Sequence, residues 1–250
     1  MNLQNEISSW LDTYLIKSKL STFVVGVSGG IDSALTSTLC AMTGQKTILV
    51  IMPIQQNPNE TDRAEKHCNW LSSKYHNVEI LKIDLTNLYL EYLKTIPVQF
   101  HNQLALANTR ARIRMSSLYL IAGGSKGIVV GTGNKIEDFG VGFFTKYGDG
   151  GVDISPIADL MKSEVYSVAK DLGIIKEILD AAPTDGLWDD GRTDEEQLGV
   201  SYDELEWAMK NTDNNQMDLS DREKEVLSIY NNFRYSNLHK MIPIPIFKRK

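Results

Sequence analysis

Phe23-Val24-Val25-Gly26-Val27-Ser28-Gly29-Gly30-Ile31-Asp32-Ser33-Ala34-Leu35-Thr36-Ser37-Thr38-Leu39 is the stretch that decides the fold. Its first five residues form an apolar run of the kind buried on both faces of a parallel sheet. The stretch from Ala34 onward reads as a helix. Strand, glycine loop and helix N-terminus in succession make an anion site. Glycines let the backbone approach a phosphate, and the free N–H groups of the first helical turn point at it. Ser28 and Ser33 add hydroxyl donors. Asp32 would repel phosphates unless a cation lay between them, so it suggests Mg²⁺ bound by oxygen ligands. No Lys follows the glycines, which excludes the Gly-x-x-x-x-Gly-Lys-Ser/Thr loop, and the glycine spacing excludes the dinucleotide fingerprint. A plain Gly-Ser turn is the bland alternative.

Outward from this loop, elements alternate. Leu3, Ile7, Trp10, Leu11, Tyr14 and Leu15 stand at helical spacing, so an amphipathic helix over 3–16 opens the fold. Strands are expected at 22–27, 46–52, 78–83 and 127–131. Helices are expected near 33–43, 59–74, 85–94, 103–122 and 161–172. The alternation predicts an α/β fold, a parallel sheet with helices on both faces, its ligand edge at the carboxyl ends of the strands. Residues 183–199 are polar and acidic and read as a long loop. Residues 184–197 and 211–219 are expected to order only around ligands. Capping boxes at Ser201…Glu204 and Ser220…Glu223 open two further helices, a C-terminal helical extension.

Bulk properties narrow the class. The chain has 250 residues, 42% hydrophobic and 23% charged, which suits one large soluble domain. It has no apolar run long enough for a membrane span and no signal-peptide pattern at its start. The net charge of −6 argues against broad nucleic-acid binding, and no membrane partner is expected. Cys40 and Cys68 form no C-x-x-C pair and read as reduced thiols of a cytoplasmic protein. The four His residues show no metal-ligand spacing.

A second constellation follows the fourth strand. Gly131-Thr132-Gly133-Asn134-Lys135-Ile136-Glu137 should share the ligand edge. Thr132 can donate to phosphate or adenine, and Glu137 is a second carboxylate in reach of a metal. Next comes Gly142-Phe143-Phe144-Thr145-Lys146-Tyr147-Gly148-Asp149-Gly150-Gly151-Val152-Asp153, too glycine-rich for a regular element. Phe143, Phe144 and Tyr147 together would be unfavourable in water, which argues against a plain exposed loop. By default Arg112 and Arg114 are surface residues, His239 is a surface His, and Asp189, Asp190, Asp194, Glu195 and Glu196 are a solvated acidic loop; the functional reading of that loop is a lid that closes on a reactive intermediate and keeps it from water. Lys162 at a helix start opposes the macrodipole, which favours a ligand role.

The Ser28–Ser33 loop resembles that of the ATP pyrophosphatase (PP-loop) superfamily, which cleaves ATP between the α and β phosphates. The whole chain resembles ammonia-dependent NAD⁺ synthetase. The resemblance is carried by that loop, Ala111-Arg112-Ile113-Arg114-Met115, Gly131–Glu137, Gly142–Asp153, Asp159-Leu160-Met161-Lys162 and Ala182-Pro183-Thr184. Asp194-Glu195, Leu198-Gly199-Val200 and His239-Lys240 extend it. It implies a single domain over 1–250 of Rossmann-like, adenine nucleotide alpha hydrolase-like fold, with no glutaminase domain, and a homodimer whose two sites lie at the interface. It implies a ligase that amidates deamido-NAD⁺ with ammonia and ATP through an acyl adenylate. ATP contacts fall on Gly26, Val27, Ser28, Gly29, Gly30, Ile31, Asp32, Ser33, Thr132, Lys162 and Thr184. Mg²⁺ falls on Asp32 and Glu137, which with Lys162 form the catalytic set. Arg112, Lys146, Asp153, His239 and Lys240 would contact the dinucleotide. Many bacterial members carry Asp-His-Ala-Ala-Glu where this chain has Gly133-Asn134-Lys135-Ile136-Glu137, a form closer to archaeal members. Rivals are a GMP-synthetase-like amidase, a tRNA-thiolating enzyme, disfavoured by the cysteines and acidic charge, and a non-catalytic nucleotide-binding protein.

Overall fold

A computed structural model describes residues 2–184, 193–212 and 219–249. The expected ligand-ordered stretches overlap residues 185–192 and 213–218, and to that extent lie outside the described residues. Strands β1 (Thr22–Gly26), β2 (Lys46–Ile51), β3 (Val78–Lys82) and β4 (Gly127–Val130) form one parallel sheet in the order β3-β2-β1-β4. Val24 pairs with Ile48 on one side and Val129 on the other. Each lies within a residue or two of its expected span. Between them run α1 (Leu3–Lys17), α2 (Ile31–Met42), α3 (Pro58–Lys74), α4 (Thr86–Thr95) and α5 (Gln103–Gly124). After β4 come α6 (Lys162–Asp171), α7 (Lys176–Leu179), α8 (Asp194–Leu198), α9 (Tyr202–Lys210) and α10 (Asp221–Met241).

Alternation along the strands explains why their sequences are continuously apolar. Phe23, Val25, Leu49 and Ile51 face a core shared with α1, α2, α3 and α6. Val24, Ile48, Val50 and Val129 face the opposite core, with Ala122 of α5 and Tyr89 of α4. A central strand flanked by helices on both faces has no polar side to show. The same holds for α2, where all ten residues from Ile31 to Ala41 other than Asp32 are buried. A third cluster joins Ile136 and Val141 to Leu205, Val226, Leu227 and Tyr230, and docks α9 and α10 behind the ligand edge.

Three features differ from the sequence expectations. The Gly131–Glu137 segment is loop only to Asn134; residues Lys135–Val141 form a π-helical turn, capped by the Asn134 carboxamide oxygen, which accepts from the N–H groups of Ile136 and Glu137. The acidic loop over 183–199 ends in a short helix, α8, opened by a Thr193–Glu196 capping box. Tyr147 is 53% exposed at φ +62, on the outside of the glycine segment, whereas Phe143 and Phe144 are half-buried. One face also lacks cover. Leu88, Tyr92, Ile96, Val98, Phe100 and Leu104, running from α4 through a 3₁₀ turn into α5, are all exposed. No described helix is long and apolar enough to cross a membrane.

Candidate active site

The carboxyl ends of β1, β2 and β4 open into one cavity, bounded by the Ser28–Ser33 loop, Met52, Thr132, Glu137, Lys162 and Thr184. The loop is held open by its own hydroxyls. Ser28 Oγ accepts from Gly30 N–H at 3.2 Å, and Ser33 Oγ donates to Gly30 O at 2.9 Å. Gly30 caps α2 without a side-chain bond, so N–H groups of the first turn still face the cavity. Gly29 has to be glycine: its φ is +92, and a Cβ there would lie 2.4 Å from Glu60 O.

Asp32 and Glu137, 105 positions apart in sequence, converge on one cation. Lys162 Nζ donates to Asp32 Oδ2 at 2.6 Å and to Glu137 Oε1 at 2.9 Å, with its side chain only 4% exposed. Lys162 is the first residue of α6, so packing and these two carboxylates hold a cation against the helix dipole. Asn134 Nδ2 donates to Asp32 Oδ1 at 3.0 Å, which ties the loop after β4 to the loop after β1. Burial pushes the Asp32 carboxyl above its ordinary range despite Lys162. Glu137 feels the same burial, yet Lys162 and the hydrogen bond from Tyr202 bring it below that range. Lys162 stays charged, because the two carboxylates outweigh its desolvation.

Four residues in or directly behind this cavity had no individual site role in the sequence reading: Asp138, Asp194 and Arg114 line it, and Tyr202 stands behind Glu137. Tyr202 donates its hydroxyl to Glu137 Oε1 at 2.6 Å, and Lys162 Nζ lies 4.8 Å from its ring centre. Asp194 Oδ2 is 3.2 Å from the same hydroxyl, so the start of α8 closes on the acidic pair. Asp138 follows Glu137 on the π-helical turn and packs against Gly133, where a Cβ would meet Asp138 Oδ2 at 1.9 Å. Burial, with Asp149, Glu137 and Asp32 nearby, raises the Asp138 carboxyl well above its ordinary value. Arg114 donates from Nε to Met52 O at 2.9 Å and from Nη2 to Gln56 Oε1 at 3.2 Å. Burial, then the neighbouring Arg110, lowers its guanidinium to about 10. The capping box at Ser201 pointed at the Tyr202 backbone, but nothing in the local pattern pointed at its hydroxyl.

Asp32 and Glu137 are the two hard oxygen donors here that could hold a divalent cation, and both already converge on the Lys162 ammonium. Among the described residues no group of three or more His, Cys, Asp or Glu gathers to hold a metal by itself, so further oxygen ligands would have to come from a bound phosphate or water. Arg112, Lys146, Asp153, His239 and Lys240 do not line the cavity. They stand outside it, around the glycine segment. Arg112 Nε donates to Lys146 O at 3.3 Å, and Lys146 Nζ to His239 O at 2.6 Å. Lys240 Nζ donates to Gly142 O and Phe144 O at 3.0 and 2.9 Å, and Asp153 accepts from Tyr119 and from the Val129 N–H.

Such a cavity can hold a polyphosphate on the Ser28 loop and a second anion beside Arg114. It can also neutralise charge that develops between them at Lys162. Residues 3–250 match the family model described as NAD synthase. The NH₃-dependent NAD⁺ synthetase of Carboxydothermus hydrogenoformans is 37% identical, over 80% of this chain and 82% of its own. That of Methanococcoides burtonii is 39% identical, over 82% and 76%. Among solved structures, an NMN synthetase from Francisella tularensis superposes with a TM-score of 0.88 at 31% identity, covering 99% of this chain and 98% of its own. The NH₃-dependent NAD synthetase of Campylobacter jejuni does so with a TM-score of 0.80 at 26% identity, covering 99% and 100%.

Proposed function

The chain belongs to the NAD synthase family, and from that membership together with the cavity we infer its reaction: ammonia amidates deamido-NAD⁺ with ATP as co-substrate, giving NAD⁺, AMP and pyrophosphate. The observation that carries the reading is the meeting of Asp32, Glu137 and Lys162 at the mouth of an uncapped phosphate loop.

In this reading the N–H groups of the Ser28–Ser33 loop and the start of α2 hold the ATP phosphates, and Thr132 and Thr184 flank the nucleotide. The nicotinate carboxylate attacks the α-phosphorus and pyrophosphate leaves. Lys162 neutralises charge on the leaving group, because its ammonium is already fixed and needs no reorganisation. Tyr202 and Asn134 hold the two carboxylates in place. Mg²⁺, held by Asp32 and Glu137, would supply further charge neutralisation on the phosphates. Ammonia then attacks the acyl carbon, the amide forms and AMP departs. No protein nucleophile is required in this scheme, and the two buried cysteines, Cys40 and Cys68, do not line the cavity. Residues 1–250 act as one domain, and the exposed apolar face from Leu88 to Leu104 supports a homodimer.

The test is pyrophosphate release. It should require both ATP and deamido-NAD⁺, and amide should accumulate with ammonium salts, faster as pH rises between about 7 and 9, since only unprotonated ammonia has a lone pair to attack. ATP cleavage indifferent to deamido-NAD⁺ would overturn the reading.

A further inference from the structure

We infer that Glu206 of α9 is a positioning residue for the reaction inferred above, on which this assignment rests. Glu206 fixes the start of α6, and through it sets the Lys162 ammonium between its two carboxylates. Lys162 is the first residue of α6, and Met161 before it makes no side-chain capping bond. Ser, Thr, Asp or Asn usually fills that place and satisfies a free N–H of the first turn. Here α9 supplies the cap from outside. The Ser163 N–H donates to Glu206 Oε1 at 2.8 Å, and the Ser163 hydroxyl donates to Glu206 Oε2 at 2.8 Å. Glu206 is only 7% exposed. Lys210, itself exposed, comes no nearer to Glu206 Oε2 than 4.0 Å. Both oxygens of a buried carboxylate are thus directed at the residue next to Lys162. Negative charge there also favours a helix start that carries an opposed cation.

The same helix holds the other half of the site. Glu206 lies four residues after Tyr202, whose hydroxyl bonds Glu137 Oε1 at 2.6 Å. Residues four apart share one face of a helix. Leu205 and Ala208 of α9 are buried in one cluster with Ile136 of the π-helical turn that carries Glu137. One helix therefore references both elements that meet in the cavity, Glu137 through Tyr202 and Lys162 through Glu206.

Glu206 does not line the cavity, so it acts through Lys162 and not on substrate. The ammonium has to satisfy two carboxylates at once, at 2.6 and 2.9 Å. Catalytic groups work within about 0.5 Å of their productive geometry, and a displacement of about 1 Å can cost on the order of a hundredfold in rate. An uncapped α6 start is free to move on that scale while every group that touches ATP or the acceptor is still present.

The experiment is steady-state kinetics on the full chain with MgATP, deamido-NAD⁺ and ammonium chloride, beside thermal unfolding of each variant. Glu206→Met should lower kcat by between about threefold, the worth of one hydrogen bond, and about a hundredfold. KM for ATP and for the acceptor should stay within about twofold of wild type. Glu206→Gln can still accept from the Ser163 N–H and donate to the Ser163 hydroxyl oxygen, so it should recover kcat to within about twofold. Leu227→Ala, a packing change in α10 within the same buried cluster, should lower Tm and leave kcat within about twofold. A smaller fall for Glu206→Met, a rise in KM that accounts for the loss, or no recovery with Gln overturns the assignment. So does an equal loss of kcat in Leu227→Ala, which would reduce Glu206 to general stability. Should Glu206→Met not fold, Ser163→Ala decides: it removes one bond at an exposed position, and an unchanged kcat overturns the assignment. No turnover by the wild-type chain would instead overturn the reaction itself.

Discussion

Replacing Lys162 by Met tests what the two carboxylates are for. The substitution keeps the length and apolar stem of the side chain and removes only the ammonium. That ammonium makes two charge-assisted bonds, 2.6 Å to Asp32 and 2.9 Å to Glu137, in a position where the lysine is 4% exposed and the carboxylates are 17% and 16% exposed. Removing one partner from a buried ion pair leaves uncompensated charge and typically destabilises by about 3–5 kcal/mol. In a chain of this size each kcal/mol shifts Tm by about 2–4 °C, so Tm should fall by roughly 10 °C. Mg²⁺ should then reverse much of the loss, since the vacated position lies between two hard oxygen donors. At a concentration about a hundred times its Kd, a ligand bound only by the folded state restores about 2.7 kcal/mol. Thermal unfolding of wild type and Lys162→Met, with and without millimolar MgCl₂, reads both effects. The reasoning fails if the variant unfolds within about 1 kcal/mol of wild type, or if Mg²⁺ stabilises the two proteins equally.

Three further outcomes follow from the same geometry. Asp32→Asn should destabilise less than Lys162→Met, because the ammonium keeps Glu137 as a charged partner, yet lower kcat about a hundredfold or more; wild-type kcat at saturating Mg²⁺ would remove Asp32 from the chemistry. Gly29→Ala should destabilise by about 1–2 kcal/mol from the positive φ alone and weaken ATP binding further, because the Glu60 carbonyl leaves no room; an unchanged KM for ATP would show that the loop does not shape the phosphate site. His67 is buried beside Ser37 and held at about 4, below its ordinary 6.5, by desolvation. The unfolded chain therefore takes up its proton first as pH falls. The stability present above pH 6.5 should drain away by about 3 kcal/mol on going down to pH 4, and His67→Gln should flatten that part of the curve in urea titrations.

The fold was readable because burial acts on both faces of its central elements. Val24, Ile48, Val50 and Val129 mark strands by composition alone, since a strand sandwiched between helices has no polar alternation to hide it. Ser201 and Ser220 marked α9 and α10 through local capping chemistry that the structure retains. Thr193 and Glu196 offered the same signal for α8, masked by the acidity around them. What could not be read were contacts between distant residues. Lys162 lies 130 positions from Asp32, and no local pattern encodes their meeting, which only the family resemblance led one to expect; Tyr202 lies 65 positions from Glu137, and nothing in the sequence pointed to that contact. Arg114 stood beside Arg112 in one motif. Only the helix phase, fixed by packing against β1, β4 and Met52, decides that Arg114 turns inward and Arg112 outward.

The central claim is that the acceptor's own carboxylate attacks ATP within this cavity. A deamido-NAD⁺ whose carboxylate oxygens carry a heavy isotope tests it directly. After a single turnover with ATP and ammonium, mass spectrometry of the AMP should show one heavy oxygen transferred to its phosphate, because the C–O bond breaks when ammonia attacks the acyl adenylate. AMP without label, alongside normal yields of NAD⁺ and pyrophosphate, would contradict the account.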